Sequence, residues 1–479
     1  MMTTDMTMKL AFYGDDFTGS TDALEVLTFA GLNCALFLQV PDEAMLRTYG
    51  PFDAIGVAGA SRAMSPIEME EHLSPVLKAM AKLPVPLVHY KVCSTFDSSP
   101  TIGSIGRVME LARAAFSEAA IPIVAATPAL ARYGVFGHLF ARSATDGRVH
   151  RIDRHPIMSV HPVTPMHEAD LARHLGQQTE MPISGFTLPL FELGRDAMDA
   201  ELDRLVQAME GGAVLFDGMT AAQLTETGRM LHQLAQARAN ANDAYTPLFC
   251  VGGSGLEYAL TQWWNEQGQQ TRAGVEMDRF EGVSQVLAVS GSASPLSALQ
   301  IDAALSAGFV DVPVDAAALV SGADAQSELK RLGSQALEAL RKGHSVMMHT
   351  AKGPQDPRID AMLCALAAQG MDKNAARHEG GRRLGQQLGE VVDSVLRAYP
   401  LKRLLLSGGD TSSLITQHIG PEALRVAARL APGAPLCRLI SSKPHLETLE
   451  VALKGGQMGQ PNYFVKALRG TSDANSQFH

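Results

Sequence analysis

Short apolar runs recur along the chain, each closed by small or polar residues and followed by an amphipathic stretch. This alternation predicts strands leading into helices, as in parallel α/β architecture. In the first half it predicts strands from Leu10 to Tyr13, Ala35 to Leu38, Ala54 to Ala58, Leu87 to Val92, Ile121 to Ala125, Ala213 to Phe216 and Leu248 to Val251. Helical periodicity fills STDALEVLTFAG, IGSIGRVMELARAAFSEA and HEADLARHLGQQ. A second series follows the polar stretch NEQGQQTRAGVEMDRFEG: Gln285 to Val289, Ser345 to His349 and Arg403 to Leu406, with extended pieces near Leu436 to Ile440 and Tyr463 to Lys466. The boundary is therefore expected near residues 268–281, between domains spanning 1–268 and 282–470.

At 479 residues the chain exceeds the size at which one core keeps growing, in keeping with two domains. Its 46% hydrophobic and 19% charged residues are ordinary for a globular enzyme. A net charge of -10, spread without long blocks, argues against nucleic-acid and anionic-membrane partners, so an anionic ligand needs local donors. Cys34, Cys93, Cys250, Cys364 and Cys437 form no CxxC pair, which fits a reducing, cytoplasmic setting. Neither a signal peptide nor a membrane helix is read from the apolar runs.

In open α/β sheets ligands sit beyond the carboxyl ends of the strands. Three glycine loops in the second half lie at such positions. LLLSGGDTSSLIT places Ser407, Gly408, Gly409, Asp410 and Thr411 between a strand and a helix. VLAVSGSASPLSALQ does the same with Ser290, Gly291 and Ser292, and its Ser294 and Pro295 suit an N-cap and a first turn. ALKGGQMGQPNYF offers Lys454, Gly455, Gly456 and Gln457. Glycines admit close backbone approach, and the following helix N-termini suit phosphate. None matches GxxxxGK[ST] or a clean GxGxxG, so their recurrence points to a nucleotide site of another build. Lys454 is either a point charge on that site or a solvated surface lysine.

The first half carries acids, hydroxyls and cations at its strand ends. YGDDFTGSTD places Asp15 and Asp16 after a strand, with Gly19 permitting a sharp backbone path. One carboxylate can hold a polyol hydroxyl while the other takes a proton from a hydroxyl that attacks a phosphoryl group. Asp16 is the preferred base and Asp15 the hydroxyl partner, although the motif does not separate their roles. Ser20 or Thr21 suits the N-cap of the next helix, and Asp22 reads as a first-turn partner of its dipole. Arg62 in GVAGASRAMSP, with Lys91, Ser94 and Thr95 in VHYKVCSTFDSSP, supplies charge and hydrogen bonds for a small hydroxy acid. The histidine-rich RHPIMSVHPVTPMHEADLARH lacks compact metal-ligand spacing; Thr164-Pro165 reads instead as a helix opening with Glu168 in its first turn. No metal ligands are assigned.

Taken together these motifs resemble the four-carbon acid sugar kinase family over nearly the whole chain. GDDFTGSTD is similar to its opening ADDxTGAxD, Ser61-Arg62 to its early arginine motif, and TPALARYG to its APA-containing segment. HPVTPMHEADL and VGGSGLEYAL are similar to further first-domain motifs, and SGSASPLSALQI, SGGDTS and KGGQMG to the nucleotide-domain signatures. One segment departs: where the family has a lysine followed by Ile-Asp-Ser-Thr-Leu-Arg-Gly-Asn, this chain keeps Lys91, Ser94 and Thr95 but has Cys93 for the acid and Asp97 for the arginine.

The resemblance implies two α/β domains, each a largely parallel sheet flanked by helices, the first binding a sugar acid, the second a nucleotide, with a ligand cleft between them. It also implies ATP-dependent phosphorylation, with Mg2+ on the phosphates, of a hydroxyl of threonate, erythronate, a 3-oxo-tetronate or a related branched or oxo acid. A homo-oligomer is compatible with this reading. A nicotinamide-dependent dehydrogenase and a non-catalytic sugar-acid sensor are the alternatives; the first lacks its dinucleotide fingerprint, and the second has little use for three phosphate-type loops.

Overall fold

The computed structural model describes residues 8–116, 119–143, 146–161, 163–241, 246–269, 279–322 and 324–471. The chain divides into two compact units, Met1–Gly274 and Val275–His479. Most of the linker expected at 268–281 lies outside the described residues.

The first unit is built on parallel strands: β1 Leu10–Gly14, β2 Cys34–Phe37, β3 Ala54–Ala58, β4 Leu87–Lys91 and β5 Ile121–Val124. A small antiparallel sheet of β6 Arg132–Val135, β7 His138–Arg142 and β8 Val149–Arg151 follows. The chain then returns to the main sheet through β9 Ile183–Phe186, β10 Ala213–Phe216 and β11 Leu248–Gly252. The spatial order is β2-β3-β1-β4-β11-β5-β10-β9. Because helices cover such a sheet on both faces, its strands read as unbroken apolar runs; all five residues of β1 and of β4 are buried.

The second unit contains β12 Leu287–Ser290, β13 Val310–Pro313, β14 Val346–His349, β15 Arg403–Ser407, β16 Ala423–Ala431, β17 Ala434–Ile440 and β18 Glu450–Lys454. Their order is β13-β14-β12-β15-β18-β17-β16, parallel as far as β18 and antiparallel for β17 and β16.

Several expectations change. Tyr463–Arg469 is a helix, not an extended piece. Tyr463, Phe464 and Ala467 are its buried residues, a spacing that suits one helical face. The strand β16, ALRVAARLA, has the composition of a helix, and only pairing with β17 makes it extended. HEADLARHLGQQ is helical only over Leu171–Gly176, capped by Asp170, so Thr164-Pro165 opens no helix and Glu168 accepts from the Asp170 N–H instead.

The first residues of β15 and β18 face each other, and there Arg403 pairs with Glu450 in the interior. The guanidinium also donates to the carbonyls of Ala467 and Glu281, so every side of it is tied to a neighbouring segment. Arg403 is 1% exposed. Glu450→Ala should therefore cost about 3–5 kcal/mol in urea unfolding, because it leaves a buried cation unpaired, whereas an Arg403→Met, Glu450→Leu double variant should recover most of that loss.

Candidate active site

In both units the order of strands reverses beside the first strand. From β1 the chain moves out to β2 and β3 on one side, then crosses to β4 on the other. From β12 it moves out to β13 and β14, then crosses to β15. Loops that leave a sheet at such a reversal part to opposite sides and open a crevice, the usual ligand position of open α/β sheets. The loops at the first reversal carry Asp15, Asp16 and Lys91 to Asp97; those at the second carry Ser290 to Ser292 and Ser407 to Thr411.

At the first reversal Gly14 is in register with Ala58 on one side and Lys91 on the other. The Asp15 N–H donates to the Lys91 carbonyl and the Arg62 N–H to the Asp15 carbonyl, which fixes three loops at one point. Arg62 forks onto Asp15, with Nε 3.1 Å from Oδ2 and Nη2 2.9 Å from Oδ1, and its Nη1 lies 2.6 Å from Oδ2 of Asp16. Burial raises the Asp15 pKa, with the neighbouring charge of Asp16 adding to it and Arg62 opposing it. Burial works against the Arg62 charge, yet Asp15 and Asp16 hold its pKa well above the ordinary value.

Asp16 is the N-cap of the helix Phe17–Phe29 and accepts from the Gly19 N–H at 2.5 Å. The cap thus lies earlier than Ser20 or Thr21, whose hydroxyls donate back to the carbonyls of Asp16 and Thr18. Asp22 falls in the second turn and not the first; its carboxylate lies 3.6 Å from the Lys91 ammonium. Lys91 is buried, which disfavours its charge, but Asp22, Asp16 and Asp15 together raise its pKa. A β-carbon on Gly19 would stand 2.4 Å from Oδ1 of Asp16 and 2.9 Å from the Lys91 ammonium, so glycine is what leaves room for both groups there.

The segment after β4 folds on itself. The Thr95 hydroxyl donates to Asp97 at 2.5 Å, and the Thr164 hydroxyl donates to the other Asp97 oxygen at 3.1 Å. Although burial opposes its charge, Arg62, Thr95 and His161 keep the Asp97 pKa below the usual carboxylate range. Asp97 therefore acts as a buried tie between this loop and the 161–164 segment. Burial and the Asp97 charge push the Cys93 thiol up, so it is a packed thiol and not an activated one. The Ser94 hydroxyl has no protein partner among the described residues.

At the second reversal the three glycine loops are neighbours, because β12, β15 and β18 lie side by side. The Gly291 N–H donates to the Ser407 carbonyl and the Gly408 N–H to that of Lys454. Gly408, the N-cap of Gly409–Ile419, has φ 110°, a conformation that L side chains avoid. Ser294 caps Pro295–Ser306, and its hydroxyl donates to the Gly456 carbonyl at 2.6 Å. Lys454 is fully buried and not a solvated surface lysine; burial pulls its pKa down to about 8. Its ammonium donates to the Gly455 carbonyl and stands 5.7 Å from the Tyr463 ring centroid.

Residues 10–260 match a family model described as a sugar-binding N-terminal domain, and residues 287–464 one described as a nucleotide-binding C-terminal domain. The chain belongs to the four-carbon acid sugar kinase family. A 3-oxo-isoapionate kinase of Paraburkholderia graminis is 40% identical over 95% of this chain and 93% of the relative. A 3-oxo-tetronate kinase of Methylobacterium radiotolerans is 28% identical over 97% and 99%. A solved structure from Salmonella typhimurium LT2, 23% identical, superposes with a TM-score of 0.72 over 96% of this chain and 98% of that one, which shows the shared fold. As a member of this family the chain is a kinase: a phosphotransferase acting on an alcohol group of a sugar acid.

Sequence reasoning passed over several groups at this kinase's first reversal. The Thr127 hydroxyl accepts from the Gly255 N–H at 3.0 Å, Ser61 meets the Tyr90 hydroxyl at 2.8 Å, and Ser98 meets His174 at 2.9 Å. Arg132 was within reach of notice as the cation in TPALARYG. In the histidine-rich run His155 Nδ1 accepts from the N–H groups of Ile157 and Met158 and His161 Nδ1 from that of Thr164, while His174 reaches out of the run to Ser98.

Gly19→Ala tests the first-unit cluster. The new methyl meets only side-chain ends, which can swing away, so the melting temperature should stay within a few degrees. Sugar-acid kcat/KM should fall at least about tenfold, since the Asp16 and Lys91 groups it displaces are the ones proposed below to act on the substrate, while the Kd for ATP stays unchanged by calorimetry.

Proposed function

We propose that this kinase transfers the γ-phosphoryl group of ATP to a hydroxyl of a branched 3-oxo sugar acid of the isoapionate type, with Asp16 as general base. The observation that carries this reading is the division of labour between adjacent carboxylates. Asp15 is buried, with both oxygens engaged by Arg62. The Asp16 side chain is 30% exposed and held by Arg62 and its own helix cap. Asp15 then orients Arg62, in place of the direct hydroxyl contact that the sequence suggested. Asp16 takes the proton as the substrate oxygen attacks the γ-phosphorus, and the bond to the β-phosphate oxygen breaks to release ADP. Arg62, Lys91, Ser94, Thr95 and the Gly19 turn line the acid's side in this proposal.

Ser290 to Ser292, Gly408 to Thr411, and Lys454 to Gln457 are assigned to the nucleotide phosphates, because backbone N–H groups and short hydroxyls approach several oxygens at once. Among the described residues no group of three or more His, Cys, Asp or Glu side chains can cage a metal. Mg2+ suits the residues only as a companion of the phosphates, keeping waters and taking one or two carboxylates, of which the exposed Asp410 is the candidate. Bound there, it would neutralise phosphate charge.

The 40% identical relative favours the branched acid over the straight four-carbon acids of the more distant kinases. ADP release with 3-oxo-isoapionate, 3-oxo-tetronate and D-threonate tests the choice: the first should lead in kcat/KM by at least about tenfold, a one-group difference in pocket fit. A lead by either of the others overturns the substrate. Asp16→Asn should lower kcat by about 10²–10⁴-fold and leave ATP binding intact; near-normal turnover removes the base role.

The Lys454 assignment predicts a pH dependence. Its protonated form attracts phosphate, and its pKa of about 8 in the free protein rises when phosphate binds. ATP affinity should be flat up to neutral pH and weaken as pH rises through 8, with proton uptake seen in calorimetry at pH 8. Lys454→Met should bind ATP more weakly and lose that slope.

A further inference from the structure

The carboxyl ends of β4, β11 and β5 are adjacent, and their loops interlock. The Val92 N–H donates to Gly252, the Gly253 N–H to Val124, and the Gly255 N–H to the Thr127 hydroxyl. A β-carbon on Gly253 would lie 3.3 Å from the Ser94 Cα and 3.4 Å from the Thr127 hydroxyl. Thr127 is bridged in turn to Arg132, each N–H donating to the other's carbonyl at 2.9 and 3.1 Å. Arg132 therefore stands on the backbone layer that borders Ser94.

Arg62, Lys91 and Arg132 all lie within electrostatic reach of Cys93 in this corner. The first two are committed to acids, Arg62 to Asp15 and Asp16 and Lys91 to Asp22. Arg132 has no carboxylate partner among the described residues. Its Nη1 donates to the carbonyls of Leu130, Ala131 and Arg142, while its buried Nε has no partner among the described residues. A partly desolvated guanidinium with a free donor is costly unless an anion completes it, and a carboxylate matches its fork.

We infer that Arg132 is the specificity residue that receives the carboxylate of the sugar acid, with the Ser94 hydroxyl beside it. This rests on the sugar-acid reading above. It leaves Arg62 with Asp15 and Asp16, so the substrate carboxylate and the base do not compete for one guanidinium. A group that holds the acid equally in the ground and transition states affects KM more than kcat.

The test compares the best acid of the panel with its neutral carboxamide, using wild type, Arg132→Gln and Arg132→Lys in an ADP-release assay. Wild type should prefer the acid. In Arg132→Gln the acid's KM should rise at least about tenfold, the range of one charged hydrogen-bonding pair, with kcat little changed and the carboxamide's KM unmoved. Arg132→Lys should keep part of the preference, because it keeps the charge but not the fork. An unchanged acid-to-amide ratio in Arg132→Gln overturns the assignment, and so does a Lys variant as poor as the Gln variant. If Arg132→Gln does not fold, the Lys variant decides: a reduced ratio supports the assignment and a wild-type ratio overturns it. Wild type inactive on every acid is failure of the sugar-acid reading; active wild type with unaltered variant ratios is failure of Arg132 alone.

Discussion

Two carboxylates on successive residues cannot both stay charged in a poorly hydrated corner without a cation between them. Arg62 is that cation. Its fork fits Asp15 and its remaining nitrogen reaches Asp16, so one side chain neutralises the pair and sets the angle between them. The rest of the first-unit site follows from this contact. With Arg62 committed, Lys91 balances Asp22, Asp97 draws on the same positive region, and Asp16 keeps a partly exposed carboxylate at a helix cap. Loss of the guanidinium would leave Asp15 buried beside a like charge, a larger penalty than the loss of any one hydrogen bond.

The loops that carry this chemistry were readable in the sequence because strand-to-helix turns use a restricted alphabet. Paired aspartates, Ser-Gly-Ser and Gly-Gly-Asp-Thr after apolar runs are local signals, and the register of β1 with β3 and β4 puts the first of them where the pattern suggested. The partnerships were not readable. Arg62 is 47 residues from Asp15, and Lys91 is 69 from Asp22, so only the topology of the sheet could join them. For the same reason Lys454 gave no sign of burial: a lysine ending an apolar run looks alike whether its ammonium meets water or the Tyr463 ring.

Secondary structure failed where composition and context disagreed. ALRVAARLA is rich in helix formers but is drawn into the sheet by its antiparallel partner β17, which repays a propensity deficit of a few tenths of a kcal/mol per residue many times over. Asp97 is the related case in chemistry. In the sequence it looked like an anion placed where a cation should be; in the fold two hydroxyls and the field of Arg62 satisfy it, so it costs the pocket little.

The same topological device serves opposite chemistry in the two units. Each reverses its strand order beside its first strand and opens a crevice there, but the first fills it with charged side chains and the second mainly with glycine, serine and threonine, beside Asp410 and the buried Lys454. The difference follows from the ligands proposed. A phosphate chain presents many equivalent oxygens, best met by backbone N–H groups that carry no bulk and need no counter-charge of their own. A sugar acid presents one carboxylate and several hydroxyls, and one hydroxyl must lose its proton. Recognition there needs a cation and a base close together yet prevented from neutralising each other. In this proposal tying Arg62 to both aspartates serves the base, and Arg132, with no carboxylate partner among the described residues, leaves a positive charge for the substrate.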